Sequence, residues 1–120
     1  MVVTNIGALG ERIASNFLQK KGYRILEANF KKRYGEIDLV AIDNSVLVFI
    51  EVKTRTSNQF GTPLEAITPW KLKAVIRSAE YYKLTHKNLP DLMRIDAVSI
   101  TLHPSGEIDD IELTKNISGF

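Results

Sequence analysis

The sequence predicts an α/β domain: a mixed central β-sheet flanked by helices, with elements in the order α-β-β-β-α-β-β. Three observations point to it. Apolar stripes at helical spacing occur near the start and again in the middle of the chain. The intervals are filled by runs rich in β-branched residues. The central runs are apolar at consecutive positions, so the sheet needs cover on both faces. With 120 residues, 44% of them hydrophobic, the chain supplies one domain with a real core. That domain is expected to span 1–120, with its core at about 6–102 and an edge strand and tail over 103–120.

Each element has its own signal. Ile6, Leu9, Ile13 and Phe17 recur at spacings of 3, 4 and 4, which predicts a helix from Ile6 to about Lys21. Lys20 and Lys21 sit in its last turn and Gly22 ends it. Tyr23 to Phe30 reads as a first strand, followed by a basic turn, Lys31-Lys32-Arg33. Ile37 to Ile42 and Val46 to Thr54 flank Asp43-Asn44-Ser45 as a hairpin. Arg55 to Glu65 reads as a loop broken by Gly61 and Pro63. Thr68 then caps a second helix with Pro69 at its first position, and Leu72, Val75, Ile76, Ala79 and Tyr82 share one face. Leu92 to Leu102 predicts a strand, and Ile108 to about Ile117 a weaker one at the edge.

Composition removes several function classes. The chain has no cysteine, which excludes a disulfide scaffold, a thiolate zinc site and a cysteine nucleophile, and suits a reducing compartment. The longest apolar run, Val46 to Ile50, is too short to cross a bilayer, and Met1 to Gly10 lacks the pattern of a signal peptide. A cytoplasmic protein without a membrane partner is therefore expected. The net charge of +2 conceals an asymmetry: residues 1–90 hold 14 Lys and Arg against 8 Asp and Glu, and residues 91–120 hold 2 against 6. A basic body permits a nucleic-acid partner.

Charge interrupts the most apolar strand. Along Val46-Leu47-Val48-Phe49-Ile50-Glu51-Val52-Lys53, alternation points Leu47, Phe49, Glu51 and Lys53 one way. Glu36 and Asp38 share a face of the preceding strand. A two-residue turn at Asn44-Ser45 sets Asp38 directly opposite Glu51, a turn at Asp43-Asn44 sets them diagonally, and a three-residue turn separates them. Two carboxylates that close repel unless a positive charge lies between them. Mg²⁺, with its preference for hard oxygen ligands, supplies one, and Lys53 would place an ammonium beside it. The competing reading is a structural ion pair between Lys53 and Asp38 or Glu36. Glu11, beside Ala14 and Leu18 on the margin of the first helix's stripe, can reach a sheet edge. Lys71 falls in the first turn of the second helix, where a cation opposes the dipole and an acid or phosphate nearby would make sense of it.

Gly35-Glu36-Ile37-Asp38 followed by Phe49-Ile50-Glu51-Val52-Lys53-Thr54-Arg55 resembles the YraN family of small bacterial proteins. Gly7, Gly10-Glu11, Asn29, Phe60-Gly61, Lys71 and Arg94-Ile95-Asp96 extend the resemblance over about residues 6–100, with Ile95 standing where the family pattern has an aromatic. The resemblance implies the restriction-endonuclease-like fold, shared with archaeal Holliday junction resolvases. It also implies Glu11, Asp38, Glu51 and the Val52 carbonyl as ligands of Mg²⁺ or Mn²⁺, and Lys53 as the catalytic lysine. The expected activity is metal-dependent DNA endonuclease, on branched or repair intermediates. The alternative is a DNA-binding module or structural partner of the same fold that cleaves nothing. Lys71, Arg55, Lys32 and Arg33, with Lys31, are candidates for binding DNA phosphates. A symmetric dimer would suit cutting of two strands.

The remaining features carry less. Trp70 and Phe60 are expected to pack in the core or a loop rather than stack on bases. His86 and His103 show no ligand spacing, and Asp96 reads as the structural partner of Arg94. Gly7 and Gly10 lack the lysine and strand context of a nucleotide-binding loop.

Overall fold

Asn5 starts the first helix. Its side-chain oxygen accepts the Ala8 N–H at 2.9 Å and satisfies one donor that the helix end leaves open. In the computed structural model, which describes residues 5–57 and 67–118, helix α1 runs over Ile6–Lys20. Gly22, at φ +95°, closes it: the Tyr23 N–H reaches back to the Leu18 carbonyl and the Gly22 N–H to that of Gln19, both at 3.0 Å.

Five strands follow: β1 (Arg24–Lys32), β2 (Gly35–Asp43), β3 (Val46–Thr56), β4 (Leu92–Leu102) and β5 (Ile108–Thr114). They form one sheet in the order β1-β2-β3-β4-β5. All neighbours are antiparallel except β3 and β4, which run parallel and are joined through helix α2 (Pro69–Thr85). Thr68 caps α2 by accepting the Lys71 N–H at 3.2 Å, with Pro69 in its first turn.

The sheet is covered on both faces. Ala14 and Leu18 of α1 pack with Leu39, Ala41, Val48, Ile50, Val98 and Ile100 on one side. Val75, Ala79 and Tyr82 of α2 pack with Ile37, Val40, Leu47, Phe49 and Ile95 on the other. α1 lies close against β3, because a Cβ on Gly10 would run into the Thr54 side chain. This is the α/β architecture with the predicted element order, consistent with a restriction-endonuclease-like fold. No helix among the described residues is long and apolar enough to cross a membrane.

Several local expectations are corrected. Lys31 and Lys32 belong to β1, so the turn is reduced to Arg33-Tyr34. Arg55 belongs to β3, whose parallel ladder with β4 continues to Thr56 and Leu102. β5 stops at Thr114, short of Ile117. Trp70 does not pack in the core: it is 83% exposed. Phe60, Gly61 and Pro63 lie outside the described residues. Asp96 is a fully satisfied buried acid. It accepts from Arg94 Nε at 2.8 Å, the Tyr23 hydroxyl at 2.8 Å and the Asn116 N–H at 2.9 Å. The outer strand β5 exposes Asp109, Asp110 and Glu112.

Candidate metal centre at the fork of two strands

The hairpin between β2 and β3 turns on Asn44-Ser45, with Asn44 in the left-handed region at φ 55° that a tight turn requires. Asp43 pairs Val46, and the ladder runs through Leu39 opposite Ile50. One rung further, that register sets Asp38 against Glu51. There the strands part. Instead of a ladder bond, the Asp38 carboxylate accepts the Val52 N–H at 2.7 Å. A strand residue's N–H and C=O project to the same side, so the Val52 carbonyl also faces this fork.

The local backbone explains why Asp38 is free to do this. Ile37 joins the core on the α2 side, whereas Leu39 joins the core on the α1 side. With Val40 back on the α2 side, the alternation slips by one residue across Asp38. The neighbouring strand compensates at Asn29, which takes φ 55° between the Ala28–Leu39 and Phe30–Ile37 pairs.

Charges approach the fork from both layers. From α1, Glu11 brings its carboxylate within 4.8 Å of those of Glu36 and Asp38. From the opposite face, Lys71 of α2 stands 3.5 Å from Glu51 Oε2. Lys53, one pleat beyond Glu51, lies beside Lys71, whose charge opposes its own. None of the ion pairs among the described residues joins Lys53 to Asp38 or Glu36, so the structural pair weighed from the sequence is replaced by Lys71 with Glu51.

Glu51 is the anomaly of the fork. It is 1% exposed, and neither carboxylate oxygen meets a well-formed hydrogen bond. The Lys71 contact is at the long limit for one. Burial first, and the Asp38 charge second, push its carboxyl up to about 7. Burial likewise raises Asp38, against the opposing Val52 N–H. Glu11 is raised by burial and by Asp38 and Glu36. Lys53 is held below the ordinary lysine range by burial and by the neighbouring Lys71. Three acids thus resist ionisation together, and the sealed one, Glu51, has only the long Lys71 contact to offset its charge. Their all-oxygen chemistry fits a hard divalent ion.

Asp38 thus links two groups: Glu11 and Glu36 gather on one side of it, and Glu51 with Lys71 and Lys53 on the other, Glu51 standing outside the close set of three carboxylates. Glu36, read from the sequence only as sharing a face with Asp38 and as a possible ion-pair partner of Lys53, joins Glu11 and Asp38 instead; its two-residue spacing from Asp38 is the signal. Arg55 lies on β3 beyond Lys53. Lys31, Lys32 and Arg33 stand exposed toward the turn of the β1–β2 hairpin, with Lys31 opposite Glu36 in the ladder, and none of the ion pairs among the described residues joins them to the acids.

Comparison with known proteins agrees with the motifs. A family model described as uncharacterised protein family UPF0102, the YraN family, matches residues 10–100. A UPF0102 protein of Caldicellulosiruptor saccharolyticus is 42% identical over 111 residues, covering 92% of this chain and 94% of the relative. One from Chlorobium phaeobacteroides is 42% identical over 118 residues, with 97% and 94% covered. One from Syntrophomonas wolfei reaches 48% over 96 residues, with 79% and 83% covered.

Proposed function

The chain belongs to the uncharacterised protein family UPF0102, and from that premise we propose that it is a metal-dependent DNA endonuclease hydrolysing phosphodiester bonds. The observation that carries this reading is Glu51, a buried carboxylate without a hydrogen-bond donor, at a fork where Glu11, Asp38 and Glu36 supply further oxygens. A purely structural acid looks different, as the four-times-bonded Asp96 does.

Glu11, Asp38, Glu51 and the Val52 carbonyl would hold Mg²⁺ or Mn²⁺, with Glu36 at the exposed side of the group. A bound divalent cation supplies a Lewis acid that polarises a phosphoryl oxygen and lowers the pKa of water. The chain's own groups do the rest. Asp38 is anchored by the Val52 N–H, so its free oxygen is already oriented. Lys53 offers an ammonium that stabilises charge developing on the phosphoryl oxygens, and its lowered pKa makes its proton easier to give up. Lys71 neutralises Glu51 from the second layer and faces an incoming phosphate with Arg55. Lys32 and Arg33 extend the cationic surface along the hairpin.

The test is incubation with a panel of branched and linear DNAs in Mg²⁺ or Mn²⁺ beside a Glu51→Ala control. Metal-dependent cleavage, absent in the control, is the expected result. One observation favours a second reading. Lys71 already balances Glu51, as it would in a DNA-binding module that cleaves nothing. That module would bind the same DNAs, leave them intact and show no response to metal.

A further inference from the structure

The outer face of α2 carries a feature that the fork does not explain. Trp70, Lys73, Arg77 and Tyr81 fall on one helical stripe, and Tyr34 from the β1–β2 turn leans against it. Tyr34 and Tyr81 meet edge to face, with ring centroids 6.2 Å apart. Trp70 is 83% and Tyr34 41% exposed, so their rings are only partly spent on packing. Two adjoining hollows lie between these side chains, of about 280 and 230 Å³. Both are too small to enclose a drug-sized ligand, but both are open to a flat ring laid against an aromatic face.

We propose that this stripe is a binding track for a single-stranded nucleic-acid segment, with bases stacking on Trp70 and Tyr34 and phosphates held by Lys73 and Arg77. The proposal deepens the nuclease reading and rests on it for the role of the bound strand. The composition fits a sequence-tolerant single-strand binder, which combines exposed rings with cations spaced along a backbone. From Trp70 to Tyr81 the track measures about 16 Å along the helix, enough for a few nucleotides. The two elements that carry it also carry the fork: α2 supplies Lys71, the residue after Trp70, and β2 supplies Glu36 and Asp38 just beyond Tyr34. A duplex keeps its bases stacked on one another and offers no ring face to Trp70. A second copy meeting this face across a twofold axis would set Lys73 and Arg77 against themselves, with Glu80 as the acid lining the same hollow.

Trp70 is the chain's one tryptophan, so its emission reports on the track directly. The full-length Glu51→Gln protein is titrated in EDTA with an oligothymidylate of about 12 nucleotides and with a blunt duplex of equal length. Saturable quenching by the single strand and little by the duplex is expected. By anisotropy of a labelled strand, Trp70→Ala should weaken binding about tenfold or more, with Trp70→Phe retaining most of it. Arg77→Glu should weaken it and flatten its salt dependence. Unquenched emission, equal quenching by duplex, unchanged affinity in Trp70→Ala, or an emission change that follows protein concentration alone would each overturn the track. Because no metal is present and Glu51 is replaced, this outcome is independent of cleavage. A protein that binds here yet cuts nothing refutes the nuclease and leaves the track standing.

Discussion

Asp38 and Val52 are joined by a side-chain-to-backbone hydrogen bond of 2.7 Å at the rung where β2 and β3 separate. The bond replaces one that the ladder would have made, so the carboxylate has a structural duty as well as a charge.

Those two duties separate in substitutions. Asp38→Asn keeps an acceptor for the Val52 N–H and removes a charge that repels Glu51 and Glu11, so its stability should equal or exceed that of the wild type. Asp38→Ala leaves the N–H without its partner and should cost about 1–3 kcal/mol. Urea unfolding measures both. Equal stability of the two variants would mean that the bond contributes nothing.

Glu51 predicts a pH dependence of stability. Its carboxyl is raised from the ordinary 4.5 to about 7. Between those values the folded protein keeps a proton that the unfolded chain has released, so stability falls as pH rises through the window and levels off above it. The full effect is on the order of 3 kcal/mol. Glu51→Gln should flatten this profile and be more stable than wild type above pH ~7 by about 1–2 kcal/mol, the gain being limited because a buried amide also lacks partners. Unfolding free energies across the window check the slope. A wild-type profile that is flat, or that rises there, would rule this out.

Metal should reverse the same strain. Mg²⁺ or Mn²⁺ should raise the melting temperature of the wild type by mass action, and the shift should vanish in Asp38→Asn. Lys53→Ala removes a cation from beside the acids. It should keep the shift, or enlarge it, while losing cleavage. Thermal melts with and without metal, paired with the DNA panel, distinguish this from a structural network. In that case there is no metal shift at all.

Gly10 makes a purely steric prediction. Its missing Cβ admits Thr54 of β3. Gly10→Ala should destabilise by about 1–3 kcal/mol through overpacking, despite alanine's better helix propensity. Adding Thr54→Ala should recover part of that loss. An additive pair of substitutions would show that the helix simply shifts away.

The sequence showed the fold well because its signals are local. The Thr68 cap, the Gly22 stop and the β-branched runs each act within a few residues, and the two-residue turn at Asn44-Ser45 carries Asp38 to Glu51 by register alone. Errors arose where tertiary pairing decides. Lys31, Lys32 and Arg55 read as turn and loop from their polarity, yet ladder bonds to β2 and β4 extend the strands through them. Glu36 had the right spacing but no way to show that α1 would bring Glu11 against it. The Lys71 contact to Glu51 depends on where α2 lands after the crossover, which no motif encodes. Tryptophan usually packs in a core or under a loop, yet Trp70 stands exposed. Its position between Pro69 and Lys71, off the apolar face, was the overlooked clue.

The sheet ends in two edges of opposite character. β5 turns Asp109, Asp110 and Glu112 outward, and β1 turns out Arg24, Lys31 and Lys32. Complementary edges invite copies to add strand to strand in open file, a heterologous contact that never closes and so grows into fibres. The irregularity between Ile25 and Glu27 and the left-handed Asn29 break the straight run of β1. They deny an incoming β5 the flat template that such growth requires. The left-handed Asn29 that answers the slip at Asp38 thus also makes β1 a poor template for strand addition.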